Sequence, residues 1–267
     1  MTLTEKLDGL HTLFGDMGSV LVAFSGGIDS TLVLKVAHDR LGTRAVGVTA
    51  VSPTFPDIEL AVARRLSGEI GARHVIVDTD QLEMAEFVRN DASRCYHCKT
   101  DLYRLLGRLQ GELALDAIVD GTHLGDLKDD RPGLVAAREW GVRSPLAEAR
   151  CSKEDVRMLA RDLGLSNWDK PAAACLSSRI PRGTPITLEK LSRVERAEAE
   201  LFEEGFKQFR VRDQGDAARI EVERQELPAM LEADRQQRVA AKLKTLGYRV
   251  VTIDPEGYRP GGGNTPR

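Results

Sequence analysis

The residues of this chain that are best suited to phosphate chemistry form a short glycine-containing loop. Residues 25–30 read Ser-Gly-Gly-Ile-Asp-Ser, between the apolar run Val20–Phe24 and a helical pattern that continues to Leu41. Two adjacent glycines permit backbone conformations closed to other residues and let a bulky anion approach the amides. The helix that follows presents the positive end of its dipole to the same space. The residues therefore predict a phosphate-binding loop.

The cysteines indicate sulfur or metal chemistry. Cys95 and Cys98 form a C-x-x-C pair flanked by an arginine and a lysine, which would lower the thiol pKa values. Four cysteines are too few and too unevenly placed for a disulfide framework, and a zinc site would need a second pair. Two interpretations stay open: Cys95, Cys98 and Cys175 hold an iron–sulfur cluster with one iron lacking a protein ligand, or a dithiol accompanies a nucleophilic Cys175. Cys151 is interpreted as a buried, inert residue.

Cys175 lies in a long connection, Ser166–Pro185, without helical or strand periodicity. A connection of this length is usually functional or disordered, and its apolar residues and prolines argue against disorder. Because Lys170, Arg179 and Arg182 flank the thiol, we expect Cys175 to be an activated nucleophile or a ligand near anions.

Acidic side chains follow the predicted strand Ala117–Asp120. A solvated acidic loop is favoured there over a magnesium site, although Mg²⁺ needs only one or two carboxylates. Asp29, inside the phosphate loop, is the first choice as a magnesium ligand. The acids of the later loop are Asp120, Asp126, Asp129 and Asp130.

Arg210 and Arg212 are spaced by two and therefore lie on one face of a predicted strand. Two planar guanidinium groups suit a phosphate or carboxylate. Surface charge on an edge strand explains the pair equally well.

Alternation of strands and helices predicts an α/β fold with a doubly wound parallel sheet, followed by a small α+β domain. Predicted strands cover 20–24, 45–51, 74–78, 117–120 and 142–146, and a later hairpin covers 206–212 and 217–222. The predicted ranges are a nucleotide domain at 1–165, a cysteine loop at 166–186, an α+β domain at 187–256 and a disordered tail at 257–267.

Composition describes an ordinary globular protein. The chain has 267 residues, 30% of them charged, and a net charge of -3. This balance predicts no nucleic-acid partner, and no stretch has the length of a membrane span. The N-terminal residues 1–18 lack the apolar core of a signal peptide, so we expect a cytoplasmic protein.

Three stretches together resemble one family. Residues 25–30 are similar to the PP-loop of the ATP pyrophosphatases, which have an adenine nucleotide alpha hydrolase-like fold. With Gly-Thr-His-Leu-Gly-Asp-Leu and Arg-Pro-Gly within 121–133, and Pro-Ala-Ala-Ala-Cys-Leu-Ser-Ser-Arg-Ile-Pro-Arg-Gly at 171–183, they resemble the LarE family. Its members are ATP-dependent sacrificial sulfur transferases of nickel-pincer nucleotide cofactor biosynthesis. The likeness covers roughly residues 5–255 and is most specific in the cysteine loop.

The resemblance implies an enzyme that uses ATP and Mg²⁺ to adenylate the carboxylates of pyridinium-3,5-dicarboxylic acid mononucleotide and convert them to thiocarboxylates. One branch of the family takes sulfur from the cysteine matching Cys175, and the other holds a [4Fe–4S] cluster on three cysteines. The presence of Cys95 and Cys98 favours the cluster branch. The resemblance also implies a homo-oligomer, with a hexamer as its size, and other enzymes of the same biosynthesis as partners. The implied site residues are Cys175 and Asp29 for catalysis, Ser25, Gly26, Gly27, Asp29 and Ser30 for ATP, Cys95, Cys98 and Cys175 for the cluster, and Arg179, Glu198, Arg210 and Arg212 for the substrate phosphate.

Two other classes remain as alternatives. A different PP-loop enzyme, such as a tRNA thiolase or an amidotransferase-type synthetase, should show a basic stripe, a zinc ribbon or room for a glutaminase domain. A sensor that binds ATP without turnover and senses redox state through Cys95 and Cys98 would release no pyrophosphate.

Overall fold

The chain folds into two units, as seen in a computed structural model that describes residues 1–128, 132–171 and 173–259. The first unit contains residues 1–81 and 92–173, and the second contains residues 82–91 and the chain from Ala174 onward. Across the described residues, no helix combines the length and the apolar character needed to cross a membrane.

Helices and strands alternate through the first unit and then change order. The strands are β1 Val20–Ala23, β2 Ala45–Val51, β3 Arg73–Asp78, β4 Ala117–Val119, β5 Phe209–Gln214, β6 Ala217–Val222 and β7 Val250–Ile253. The helices are α1 Leu3–Met17, α2 Ile28–Leu41, α3 Asp57–Ile70, α4 Ala85–Val88, α5 Arg94–Glu112, α6 Pro132–Glu139, α7 Pro145–Glu148, α8 Lys153–Asp162, α9 Leu188–Glu203, α10 Leu227–Met230 and α11 Ala233–Thr245.

The first unit is built on a parallel sheet in the order β3-β2-β1-β4, with helices on both faces. Successive side chains of β1 enter different hydrophobic clusters, because strand side chains alternate between faces. Val20 and Val22 pack in the cluster that includes residues of α1, α2 and α8, whereas Leu21 packs in the cluster that includes residues of α5 and α6. This arrangement confirms the predicted doubly wound α/β fold.

The predicted fifth strand at residues 142–146 is wrong. Only one bridge forms there, between Val119 and Arg143. Pro145 has no backbone N–H to donate, and the amide of Ser144 bonds the Glu148 side chain at 3.2 Å instead. The chain consequently turns into α7 after a single paired residue.

The second unit has its own sheet in the order β5-β6-β7. β5 and β6 form the predicted antiparallel hairpin, which turns at Gly215 with φ of +76°, and β7 pairs parallel to β6. Its core is a separate cluster of buried side chains that includes Leu201, Ile220 and Leu243. The predicted tail began at residue 257, but Tyr258 donates its amide to the Val222 carbonyl at 2.7 Å, and residues 260–267 lie outside the described chain.

Candidate active site

The phosphate loop lies between β1 and α2, at the carboxyl end of a central strand, where α/β sheets bind ligands. Gly26 has φ of +70°, and a Cβ atom there would lie 3.1 Å from the backbone of Ala63 in α3. Close packing and a left-handed backbone therefore both require glycine at this position.

Hydroxyl groups fix the shape of the loop. The Ser30 Oγ accepts the amide of Ser25 at 3.2 Å and contacts the Gly27 carbonyl at 3.1 Å. The Thr31 hydroxyl donates to the same carbonyl at 2.8 Å. Because the first N–H groups of a helix have no partner within the helix, the start of α2 presents a row of donors suited to an anion.

Two residues of the connection after α8, Asn167 and Lys170, hold the phosphate loop through hydrogen bonds. The Asn167 amide donates to the Gly26 carbonyl at 3.3 Å and to the Thr31 hydroxyl at 3.1 Å, and the Lys170 ammonium lies 3.4 Å from the same carbonyl. Lys170 is also paired with Glu59 at 2.6 Å. Nothing in the sequence near Asn167 indicated this contact, because it joins residues that are more than 130 positions apart.

Asp29, the predicted catalytic acid of the loop, is already paired with a cation. The Lys153 ammonium donates to both of its carboxylate oxygens, at 2.6 and 2.7 Å. Lys153 is the first residue of α8, which begins with a capping box between Ser152 and Asp155. Sequence reasoning missed Lys153, although a cation at a helix N-terminus opposes the helix dipole and so invites an explanation.

The acidic loop after β4 is a structural support in its described part. Buried Asp120 accepts hydrogen bonds from Tyr103, from Thr122 and from the Ser144 hydroxyl. Asp126 is paired with His123 at 3.4 Å. Asp129 and Asp130 lie outside the described residues.

The C-x-x-C pair lies in the first turns of α5, a helix that the sequence analysis did not predict. Cys95 and Cys98 are three residues apart on a helix, so they share a face, and both are half-buried. The Arg94 guanidinium lies 3.9 Å from the Cys95 Sγ. The Gln81 amide donates to the Cys98 Sγ at 3.3 Å, while its oxygen accepts hydroxyl groups from Ser52 and Thr54.

Cys151 is buried in the main core of the first unit. Burial raises the pKa of its thiol to about 11. A neutral, inaccessible thiol fits the predicted inert role.

Cys175 is exposed and belongs to the second unit. Its backbone is held by Arg179, whose guanidinium donates to the carbonyls of Ala174 at 2.7 Å and of Cys175 at 3.0 Å. The same guanidinium makes two 2.8 Å bonds with the carboxylate of Glu198 in α9. Arg179 and Glu198 are therefore brought together, but they form a buried support beneath the cysteine loop.

The two arginines of β5 differ from each other. Arg212 is paired with Glu221 at 2.7 Å and donates to the Ser178 carbonyl at 2.9 Å. Arg210 lies over the ring of Tyr258, with 4.9 Å between the guanidinium carbon and the ring centroid. Burial lowers the pKa of Arg210, and Arg179 and Arg212 lower it further through like-charge repulsion. This cluster of buried guanidinium groups suits an anion.

A metal site is not assembled in the part of the chain that the structure describes: no three His, Cys, Asp or Glu side chains there are arranged to hold a metal ion. Cys95 and Cys98 offer two ligands on one helix of the first unit, and Cys175 belongs to the second unit.

The chain is similar in sequence to known proteins along almost its whole length. An uncharacterized protein of Synechocystis sp. is 43% identical over 259 residues, which is 97% of each chain. The pyridinium-3,5-bisthiocarboxylic acid mononucleotide synthase of Lactiplantibacillus plantarum is 41% identical over 261 residues, covering 97% of this chain and 94% of that protein. A glutamine-hydrolyzing GMP synthase of Aeropyrum pernix is 28% identical over 226 residues, covering 76% of this chain and 42% of that enzyme. No family model matches the chain.

Proposed function

The chain belongs to the LarE family, that of the pyridinium-3,5-bisthiocarboxylic acid mononucleotide synthases, and from this premise we propose that it is an ATP-dependent sulfurtransferase. Its substrate would be pyridinium-3,5-dicarboxylic acid mononucleotide, whose carboxylates become thiocarboxylates. The observation that carries the proposal is 41% identity over nearly the full length of both chains. The GMP synthase match spans less than half of that enzyme, which favours the sulfurtransferase over a synthetase.

The first step is adenylation. A substrate carboxylate oxygen attacks the α-phosphorus of ATP, the bond to the bridging oxygen breaks, and its electron pair leaves with pyrophosphate. The product is an acyl adenylate. Ser25, Gly26, Gly27 and Ser30 are the proposed ATP-binding residues of the loop, and the N–H groups at the start of α2 would stabilise the charge that develops on the departing pyrophosphate. Asp29, half-buried beside this loop, is the proposed ligand for Mg²⁺, which would neutralise phosphate charge and keep several waters.

The second step delivers sulfur. A sulfur nucleophile attacks the acyl carbon, AMP leaves with the electron pair of the broken C–O bond, and a C–S bond remains. Exposed Cys175, with its backbone held by Arg179, is the proposed catalytic cysteine in either of two ways. As the donor, its thiolate forms a thioester, loss of the Cα proton then expels the thiocarboxylate from Cβ, and dehydroalanine remains.

In the second way, Cys175 joins Cys95 and Cys98 as a ligand of a [4Fe–4S] cluster. The shared helix face of Cys95 and Cys98 and the Gln81 donor at the Cys98 Sγ fit two thiolate ligands. When bound, such a cluster supplies an iron without a protein ligand, at which a transferable sulfide can be carried. We favour this route because the chain has the Cys95 and Cys98 pair in addition to Cys175.

Iron and acid-labile sulfide analysis of anaerobically purified protein separates the two routes. The cluster route predicts about four of each per chain, lost in Cys95→Ser, Cys98→Ser and Cys175→Ser, and kept in the matched variant Cys151→Ser. Colourless protein that transfers sulfur and loses one sulfur from Cys175 would instead establish the sacrificial route.

The phosphate of the substrate would bind at the arginine cluster of the second unit. Arg210 is the proposed direct contact, since burial and then the like charges of Arg179 and Arg212 lower its pKa, and a bound anion would stabilise its charged form. Arg179, Glu198 and Arg212 would shape that site through the pairs described above.

Assembly is a further part of the proposal. Four large apolar side chains in the described part of the second unit are more than half exposed: Leu188, Phe202, Leu231 and Val250. Contacts between copies would cover such residues, so we propose a homo-oligomer, with a hexamer as its size and other enzymes of the biosynthesis as transient partners. Light scattering during size-exclusion chromatography gives the mass, and a monomer at micromolar concentration would contradict the assembly.

Substrate-dependent pyrophosphate release tests the proposed function. With ATP and Mg²⁺, we expect pyrophosphate only when pyridinium-3,5-dicarboxylic acid mononucleotide is present. Release that requires tRNA would indicate a thiolase instead. Tight ATP binding without release would indicate a sensor.

A further inference from the structure

An ion pair closes one side of the phosphate loop. The Lys153 ammonium binds both carboxylate oxygens of Asp29, at 2.6 and 2.7 Å. The two side chains are 33% and 29% exposed, so solvent and a ligand can reach the pair. An ammonium has three protons to donate, and one remains after both oxygens of Asp29 are bonded.

Stability alone does not explain Lys153 at this position. Ion pairs that are partly open to water contribute little to folding, because water competes for both charges. As the first residue of α8, the lysine also opposes the dipole of its own helix. Its placement brings a positive charge to the one acid of a loop that is otherwise built from neutral groups.

Until Mg²⁺ binds to Asp29, as proposed above, a carboxylate at this position opposes the binding of an anion. Asp29 is the second residue of α2 and is separated from Gly27 by Ile28 alone, so its charge would repel a phosphate chain. The Lys153 ammonium offsets that charge and adds a donor at the rim of the loop. Lys170 does not duplicate this role, because its ammonium is paired with Glu59 and directed at the Gly26 carbonyl.

We propose that Lys153 is a phosphate-binding residue of the ATP site, whose ammonium contacts the β- and γ-phosphates of ATP and then the leaving pyrophosphate. The proposal rests on the proposed adenylation and extends it to a residue on a different helix. When the bond between the α-phosphorus and the bridging oxygen breaks, its electron pair moves to the pyrophosphate. Lys153 would stabilise that charge without a proton transfer.

Calorimetric titration with inorganic pyrophosphate in the absence of magnesium measures this contact without turnover. We expect Lys153→Met to bind pyrophosphate roughly ten- to a hundredfold more weakly than the wild type, the range for one hydrogen bond to a charged group. Lys153→Arg keeps the charge and should retain most of the affinity.

Lys6→Met is the matched control. Lys6 of α1 pairs with Asp155 of α8, two residues after Lys153, and both side chains of this pair are shielded from solvent. This variant removes a lysine from the same neighbourhood, and we expect its pyrophosphate affinity to match that of the wild type.

The double variant Asp29→Asn with Lys153→Met separates direct contact from simple neutralisation of Asp29. Direct contact predicts that the double variant stays weak. The proposal is overturned if the wild type binds no pyrophosphate, if Lys153→Met binds within about twofold of it, or if the double variant regains wild-type affinity. Weak binding by Lys153→Met together with a wild type that forms no thiocarboxylate would support this inference and refute the sulfur transfer.

Discussion

At the scale of single residues, the structure gives contacts that the sequence did not reveal to side chains that the sequence had singled out. Arg179 and Glu198 resemble residues of a phosphate site, yet the structure pairs them at 2.8 Å beneath the loop of Cys175. Arg179 also holds the carbonyl of Cys175 itself. The pair therefore supports the geometry of this loop.

Glu198→Gln should destabilise the second unit. The substitution removes the charge that compensates buried Arg179, and breaking a buried pair on one side costs about 3 kcal/mol or more. Urea denaturation measures the loss. Glu203→Gln, on the same helix with a side chain that is 68% exposed, should change the unfolding free energy by less than about 0.5 kcal/mol. Equal effects of the two variants would contradict the structural role of the pair.

The thiols should also differ in reactivity. Iodoacetamide at pH 8 should modify exposed Cys175 well before Cys151, because Cys151 is buried and its pKa is raised to about 11. Peptide mass spectrometry of timed samples gives the order, and denatured protein serves as the reference in which both react. Early modification of Cys151 in native protein would contradict its burial.

At the scale of elements, the sequence predicted the structures that depend on residues close together in the chain. The apolar run of β1, the glycines and the start of α2 lie within a dozen residues, so the phosphate loop was predictable. Helix α5 was missed because its exposed face is polar and its first turns carry the cysteines. The contacts of Lys153 and Asn167 with the loop join distant parts of the chain, and a single sequence gives no local signal for them.

Segment 82–91 is another example of a contact between residues that are distant in the sequence, and this contact can be tested. Buried Asn90, with φ of +58°, donates its amide to the carbonyls of Pro181 and Thr184, both at 2.9 Å, and so ties this segment to the loop after Cys175. Asn90→Gly keeps the backbone conformation and removes these bonds. We expect a loss of about 2 kcal/mol in unfolding free energy and faster proteolysis near residues 180–186. An unchanged rate of proteolysis would contradict the role of these hydrogen bonds in holding the loop.

Buried His74 should make the unfolding free energy of the protein depend on pH. Burial lowers the pKa of His74 from its ordinary value, with Arg64 adding to the shift. Its ring nitrogens contact Thr49 at 2.8 Å and Ser67 at 3.1 Å. The unfolded chain therefore binds the proton more readily, and the stability that neutral His74 provides declines as pH falls below about 6.5.

The midpoints of urea unfolding, measured between pH 8 and pH 5, test whether the protein loses stability as pH falls. Wild type should lose more unfolding free energy on acidification than His74→Gln, whereas His11→Gln on α1 should follow the wild type. A His74→Gln variant with the same pH dependence as the wild type would contradict the effect of burial.

At the scale of the whole molecule, the candidate chemistry is divided between two units that each have a core. The phosphate loop, Lys153 and the C-x-x-C pair belong to the first unit, and Cys175 and the arginine cluster belong to the second. The phosphate loop and exposed Cys175 thus belong to different units. The predicted order of an α/β domain and a small α+β domain is confirmed by the two sheets.

Mass spectrometry of the nucleotide after reaction with ATP and Mg²⁺ tests the central claim most directly. We predict that pyridinium-3,5-dicarboxylic acid mononucleotide exchanges an oxygen for a sulfur at each carboxylate, with one pyrophosphate released per sulfur transferred. The Cys175→Ser variant should release pyrophosphate but yield no sulfur-containing product. Pyrophosphate and AMP formed by the wild type, without sulfur in the nucleotide, would contradict the assignment as a sulfurtransferase.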